Sequence, residues 1–94
     1  MKGITKSSYQ NLSKERVEGI LKELKSFGAR ISGDNPWIID MSSRGLVFKG
    51  LWDDERSVFR IELIDESEFI PSAPTWALMN KIVKSFDGRS LSVR

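Results

Sequence analysis

Apolar residues recur at the spacing of one helical face early in the chain, where Val17, Ile20, Leu21, Leu24 and Phe27 form a single stripe. Ser13 stands where an N-cap belongs and Gly28 where a helix stops, so the pattern predicts a first helix between them. Lys14, Glu15, Glu18, Lys22, Glu23 and Lys25 fill the remaining arc. The Lys14/Glu18 and Glu18/Lys22 spacings allow pairs worth a few tenths of a kcal/mol each. Gly19 lies off the stripe, at a cost of about 1 kcal/mol relative to alanine, and marks either close approach of another chain or, the favoured reading, tolerated slack.

From residue 29 to residue 65 the period changes to two, and turn residues divide the stretch into short extended runs. Gly33-Asp34-Asn35-Pro36 separates a short lead-in strand over 29–32 from a strand over 37–41. Ser42-Ser43-Arg44-Gly45 reverses the chain into 46–52, with Gly45 suited to a positive φ. A polar reversal over 53–56 leads to a strand over 57–65. Pro71 and Pro74 break the pattern, and a second helix follows, with Ser72 or Ala73 as cap and Pro74 in its first turn. Its stripe is Leu78, Met79, Ile82, Val83 and Phe86, and Asp87-Gly88 ends it. The order predicts an α+β two-layer domain: a helix, a three- or four-stranded antiparallel meander, and a helix, with both helices on one sheet face. Residues 13–88 form this single domain. Residues 1–12 read as a flexible basic lead-in, and residues 89–94 as a loose tail or at most a short edge strand.

Alternation sorts the strand residues into two faces. Trp37, Ile39, Met41, Leu46, Phe48, Gly50, Trp52, Phe59, Ile61 and Leu63 form an apolar layer for the helices to cover. Gly50 within it leaves room for an aromatic neighbour or marks a bulge. The opposite face carries Ile38, Asp40, Val47, Lys49, Leu51, Val58, Arg60, Glu62 and Ile64, of which five are aliphatic. With Asp40, Lys49, Arg60 and Glu62 setting register by cross-strand charge pairing, this face is a candidate contact surface for an unidentified protein partner or for self-association as a homodimer. The ordinary alternative is a solvated face on which lysine and arginine stems cover the aliphatics.

Composition narrows the chemistry. The 94 residues include no histidine and no cysteine, which removes imidazole-based triads, thiolate chemistry, zinc fingers and disulfide frameworks. No cofactor or metal is expected. The runs Asp53-Asp54-Glu55 and Asp65-Glu66-Ser67-Glu68 lack the spacing and the glycine of a calcium loop and read as charged turns. No glycine-rich phosphate loop is present. The chain therefore reads as a non-enzyme. It also has no apolar run of signal-peptide or membrane-spanning length, which makes a cytoplasmic protein without membrane contact the expectation.

The net charge of +2 conceals segregation. Residues 1–30 carry seven basic and three acidic side chains, residues 31–70 four and nine, and residues 71–94 four and one. Basic ends next to an acidic middle balance charge within the fold, or else present a basic face to phosphate. For nucleic acid, the candidate contacts are Lys2, Lys6, Lys81, Lys84, Arg89 and Arg94, giving weak, salt-dependent, sequence-tolerant binding. The helix, strands, helix order resembles in outline the double-stranded-RNA-binding domain. That family places a lysine cluster at the start of its second helix, where this chain has Ser72-Ala73-Pro74-Thr75, and a proline and histidine pattern where it has Ser42-Ser43-Arg44-Gly45. The resemblance is therefore one of element order alone.

Three tryptophans remain to be placed. Trp37 and Trp52 fall on the core-facing layer, whereas Trp76 lies off the stripe of the second helix and either caps the edge of the core or projects as an anchor. Phe69 with Trp76 is the first choice for a contact site, followed by Ile38, Val47, Leu51, Val58 and Ile64 on the open face. The leading expectation is a small binding or adaptor module acting through protein contact, with nucleic-acid binding as the rival.

Overall fold

The computed structural model describes residues 6–66, 73–86 and 89–90. The elements in chain order are β1 (Lys6–Gln10), α1 (Lys14–Ser26), β2 (Arg30–Gly33), β3 (Trp37–Met41), β4 (Leu46–Asp53), β5 (Val58–Glu66), α2 (Ala73–Ser85) and β6 (Arg89–Ser90). Ser13 caps α1 as its position predicts, with its Oγ accepting from the Arg16 N–H at 3.2 Å. Gly28 ends the helix at φ 98°, where the Ala29 N–H turns back onto the Leu24 carbonyl. Phe27 leaves the expected stripe: it is the C-cap residue, and its ring is 43% exposed.

All strand pairs are antiparallel, in the order β2-β3-β4-β5-β1-β6. The four consecutive strands β2 to β5 are the predicted meander, joined at one corner by a 3-10 turn over Ser42–Arg44 with Gly45 at φ 75°. Both helices pack on one face, which makes the α+β two-layer architecture expected from the pattern. The core between the layers holds Val17, Ile20, Leu21 and Leu24 of α1 and Trp76, Met79, Ile82 and Val83 of α2. Against them lie Ile39, Met41, Leu46, Phe48, Phe59 and Ile61 of the sheet.

The N-terminal stretch departs from its reading as a loose lead-in. Within it, β1 lies between β5 and β6, with Tyr9 opposite Phe59 on one side and opposite Ser90 on the other. Tyr9 and Leu12 are fully enclosed in the core. Leu12 is also fixed by its main chain, because its N–H donates to the Ser57 carbonyl and its carbonyl accepts from Trp52 Nε1, each at 3.0 Å. β1 escapes pattern reading because Tyr9 is its only apolar residue, while Ser7 is buried as a small polar one. With this strand in front of α1, the resemblance in element order to the RNA-binding family does not hold. At the other end, residues 89–90 form the short edge strand, and residues 91–94 lie outside the described residues.

Two glycines acquire reasons. Gly50 makes room for an aromatic neighbour: a Cβ there would stand 2.9 Å from Phe59 Cζ and 3.3 Å from Ile39 Cδ1. Gly19 is not slack, because the Phe86 ring lies over it and a Cβ would meet Phe86 Cε2 at 2.5 Å. The two helices thus approach through a glycine on one and a phenylalanine just past the end of the other.

Candidate functional site

The face of the sheet away from the helices is ordered in cross-strand rows. One row runs Ser32, Ile38, Lys49, Glu62, Lys6 across five strands, and the next runs Arg30, Asp40, Val47, Asp65. Of the four charged residues expected to set register, Lys49 and Glu62 face each other. Asp40 faces Arg30, and Arg60 lies between Leu51 and Ser8. Opposite charges in adjacent strands favour this register over a slipped one.

The five aliphatics of this face do not form one patch. Val47 and Ile64 lie at the corner near Gly45, where β5 carries an extra residue: Phe48 pairs with Leu63, but Val47 pairs with Asp65. The bulge leaves Ile64 as the unpaired residue, 49% exposed. Leu51 and Val58 lie at the opposite end, and the charged row through Lys49 and Glu62 separates the two islets. Ile38 is half-buried beside Lys49.

The Leu51 and Val58 end is concave. An open groove of about 580 Å³ lies there, with Leu51, Val58, Ser8 and Arg60 from three strands and the β4–β5 turn, Asp53 to Arg56, as its rim. The rim is shaped by its own first residue, since Asp53 Oδ1 accepts the Glu55 N–H at 3.1 Å. Asp40 does the same at the other corner, accepting the Ser42 N–H at 2.9 Å. These carboxylates fold turns, and among the described residues no group of three or more acidic side chains is placed to hold a metal ion.

The end of β4 is held at its side by a side-chain clamp that periodicity does not reveal. Beyond the last β3–β4 pair, Trp37 with Gly50, the Asn35 amide takes the place of a strand: its Nδ2 donates to the Trp52 carbonyl at 3.0 Å and its Oδ1 accepts the Trp52 N–H at 2.9 Å. Asn35 holds φ 41°, a conformation asparagine tolerates better than most residues. The only early signal of it is the Asn-Pro pair in the predicted turn.

The remaining candidates that are described do not share one surface. Trp76 is not an anchor: it is 3% exposed, with its ring edge-on to Phe48 at 5.2 Å, because position 76 lies in the first turn of α2, directly over β4. Phe69 lies outside the described residues, as do Lys2 and Arg94. Lys6 stands on the open face, whereas Lys81 and Lys84 are exposed on α2, across the sheet from it. Arg89 belongs to β6. Among the described residues, Lys6 therefore does not share a surface with Lys81 and Lys84. Sequence reasoning missed Ser8 and the rim residues of the groove, since β1 carries no readable alternation.

A half-buried polar contact joins the layers: the Tyr9 hydroxyl donates to Asn80 Oδ1 of α2. Burial pushes the Tyr9 phenol above its ordinary range, and a hydrogen bond with Ser7 opposes that shift.

The chain matches no known family model, no curated protein and no solved structure.

Proposed function

We propose that this protein is a small non-catalytic binding module that acts by contact with another protein at its open sheet face. The observation that carries the reading is the groove over Leu51 and Val58, with Leu51 39% exposed. An apolar floor inside a rim of both charge signs is how protein interfaces combine burial with exclusion of water. Asp53, Asp54 and Glu55 on that rim repel a phosphate backbone, so the groove favours protein over nucleic acid. The partner class includes a second copy of the chain, because the alternating charges of the face complement themselves.

The test is the double variant Leu51→Asp/Val58→Asp. Both positions face away from the core, so the variant keeps the wild-type circular dichroism spectrum and cooperative unfolding. Light scattering over a range of concentrations reports self-association, and parallel capture with the two proteins as bait reports other partners. The reading requires an association of the wild type that the variant loses. A folded variant that keeps every association of the wild type overturns it.

A further inference from the structure

The sheet ends on one side at β2, whose outer edge has no strand partner among the described residues. Arg30 through Gly33 pair with β3 on the inner side, and in such a ladder alternate residues aim their N–H and C=O away from the partner. That leaves a row of hydrogen-bonding groups for another extended chain.

The charges about this edge balance in number, Lys22, Lys25 and Arg30 against Glu18, Asp34 and Asp40, so they select neither an acidic nor a basic partner. They are nevertheless ordered along it. The last turn of α1, with Lys25, returns directly into β2 through the Ala29 to Leu24 hydrogen bond, which puts this lysine beside the start of the strand, where Arg30 is exposed. Glu18 lies two turns back along α1 and borders the same groove as Gly33, and exposed Asp34 follows Gly33. Asp40 is the inner neighbour of Arg30 on β3, so the outer edge itself runs from Arg30 to Asp34. A strand laid along it is matched only when its own charges run in the opposite order.

We infer that two copies of this chain pair through β2, edge to edge and antiparallel. A two-fold axis normal to the sheet turns the order of charges round, so Arg30 and Lys25 of each copy come to the Asp34 and Glu18 end of the other. Pairing the same edges parallel would set like charges side by side. Arg30 and Asp34 are equally far from Ser32 in the strand, so an axis at Ser32 forms the Arg30 to Asp34 contact twice, as an isologous interface requires. The same register sets Ile31 against Gly33 of the second copy, where no side chain obstructs it. The two sheets become one, with both helix layers on the same side. Four residues of ladder make a weak dimer, and its exposed charge pairs are screened by salt. The inference does not rest on the groove over Leu51 and Val58, which lies across β3 and β4 from this edge.

The test uses the full isotope-labelled chain at low salt over a range of concentrations. Amide signals of Ile31, Ser32, Gly33 and Asp34 should move with concentration. Arg30→Glu and Asp34→Lys should each weaken self-association about tenfold, because each converts two attractions of the dimer into two repulsions. An equimolar mixture of these two variants should recover the association of the wild type, since each substituted position then faces an opposite charge on the other chain. Recovery in the mixture separates a lost contact between copies from a disturbed β2. Leu51→Asp/Val58→Asp should dimerise through β2 as the wild type does, which separates this inference from the sheet-face reading. Signals of β2 that do not depend on concentration, single variants that associate like the wild type, or a mixture that fails to recover association each overturn it. Movement confined to Leu51 and Val58 also overturns it and assigns self-association to the open face.

Discussion

Gly50 and Gly19 each lie against a phenylalanine ring, yet alanine at the two positions has different consequences. Phe59 and Ile39, which enclose Gly50, are fully buried, and the Phe59 ring is held edge-on to Trp37 at 6.1 Å. Neither can swing away, so Gly50→Ala overpacks the core and loses about 1–3 kcal/mol of stability in urea unfolding. Phe86 is half-buried just past the end of α2, and only the far edge of its ring meets Gly19. That ring can yield, and alanine recovers about 1 kcal/mol of helix propensity, so Gly19→Ala changes stability by less than about 1 kcal/mol. A Gly50→Ala protein as stable as the wild type would mean that the Phe59 ring is not seated as described. Tyr9 supplies the pH dependence. It is the only tyrosine in the chain, so tyrosinate absorbance reports this residue alone. Its folded pKa is raised by burial, so the folded state holds the proton more tightly than the unfolded state. The associated stability is fully present below the unfolded value of about 10 and is lost as pH rises through the folded value. The tyrosinate midpoint should lie above the ordinary value in the folded protein and return to it in denaturant. Tyr9→Phe should lose less stability than the wild type over the same alkaline range.

At the scale of elements, the Asn35 clamp decides how β4 ends. Asn35→Ala removes both side-chain bonds to Trp52 while leaving β3 paired with β4 up to Gly50. Water reaches these groups, so the cost is about 1 kcal/mol, and the sharper readout is local. Hydrogen exchange at the Trp52 amide should quicken while that of Phe48, in the middle of β4, stays protected. Unchanged protection at Trp52 would show that the clamp does not hold the strand. Such clamps explain where pattern reading stopped. Both helices, the meander and the two faces of β3, β4 and β5 were legible, because a helix or strand buried on one side repeats its apolar residues at a fixed period. Trp37, Ile39, Met41, Leu46, Phe48, Phe59 and Ile61 all lie in the core as alternation required. Period carries no information where a single residue does the burying, as Tyr9 does in β1. Nor does it tell a core tryptophan from an anchor at the start of a helix, where too few residues precede position 76 to define the stripe. The groove was half legible: its floor residues Leu51 and Val58 followed from alternation, whereas Ser8 and the rim depended on which strand lies beside β5.

At the scale of the whole molecule, the sheet is completed by its two ends. β1 covers the edge of β5, and β6 pairs with Tyr9 and Gln10 of β1, so segments from opposite ends of the chain lie side by side. A helix, meander and helix standing alone would leave β5 with an open edge and α1 without its tether to the β4–β5 turn. Removing residues 1–12 deletes Tyr9 and Leu12 from the core and the Leu12 bonds to Ser57 and Trp52. Large buried side chains contribute about 2–5 kcal/mol each when truncated, and a domain of this length has only about 5–14 kcal/mol in all. The truncated chain should therefore lose cooperative unfolding and the chemical-shift dispersion of its amide spectrum, while helix content measured by circular dichroism falls less. Removing β1 also takes Ser8 from the groove and breaks the row that ends at Lys6, so the proposed contact face and the fold are built by the same strand. A truncated chain with a dispersed spectrum and a sharp transition would restore residues 1–12 to a lead-in and leave the meander with its two helices as the folding unit.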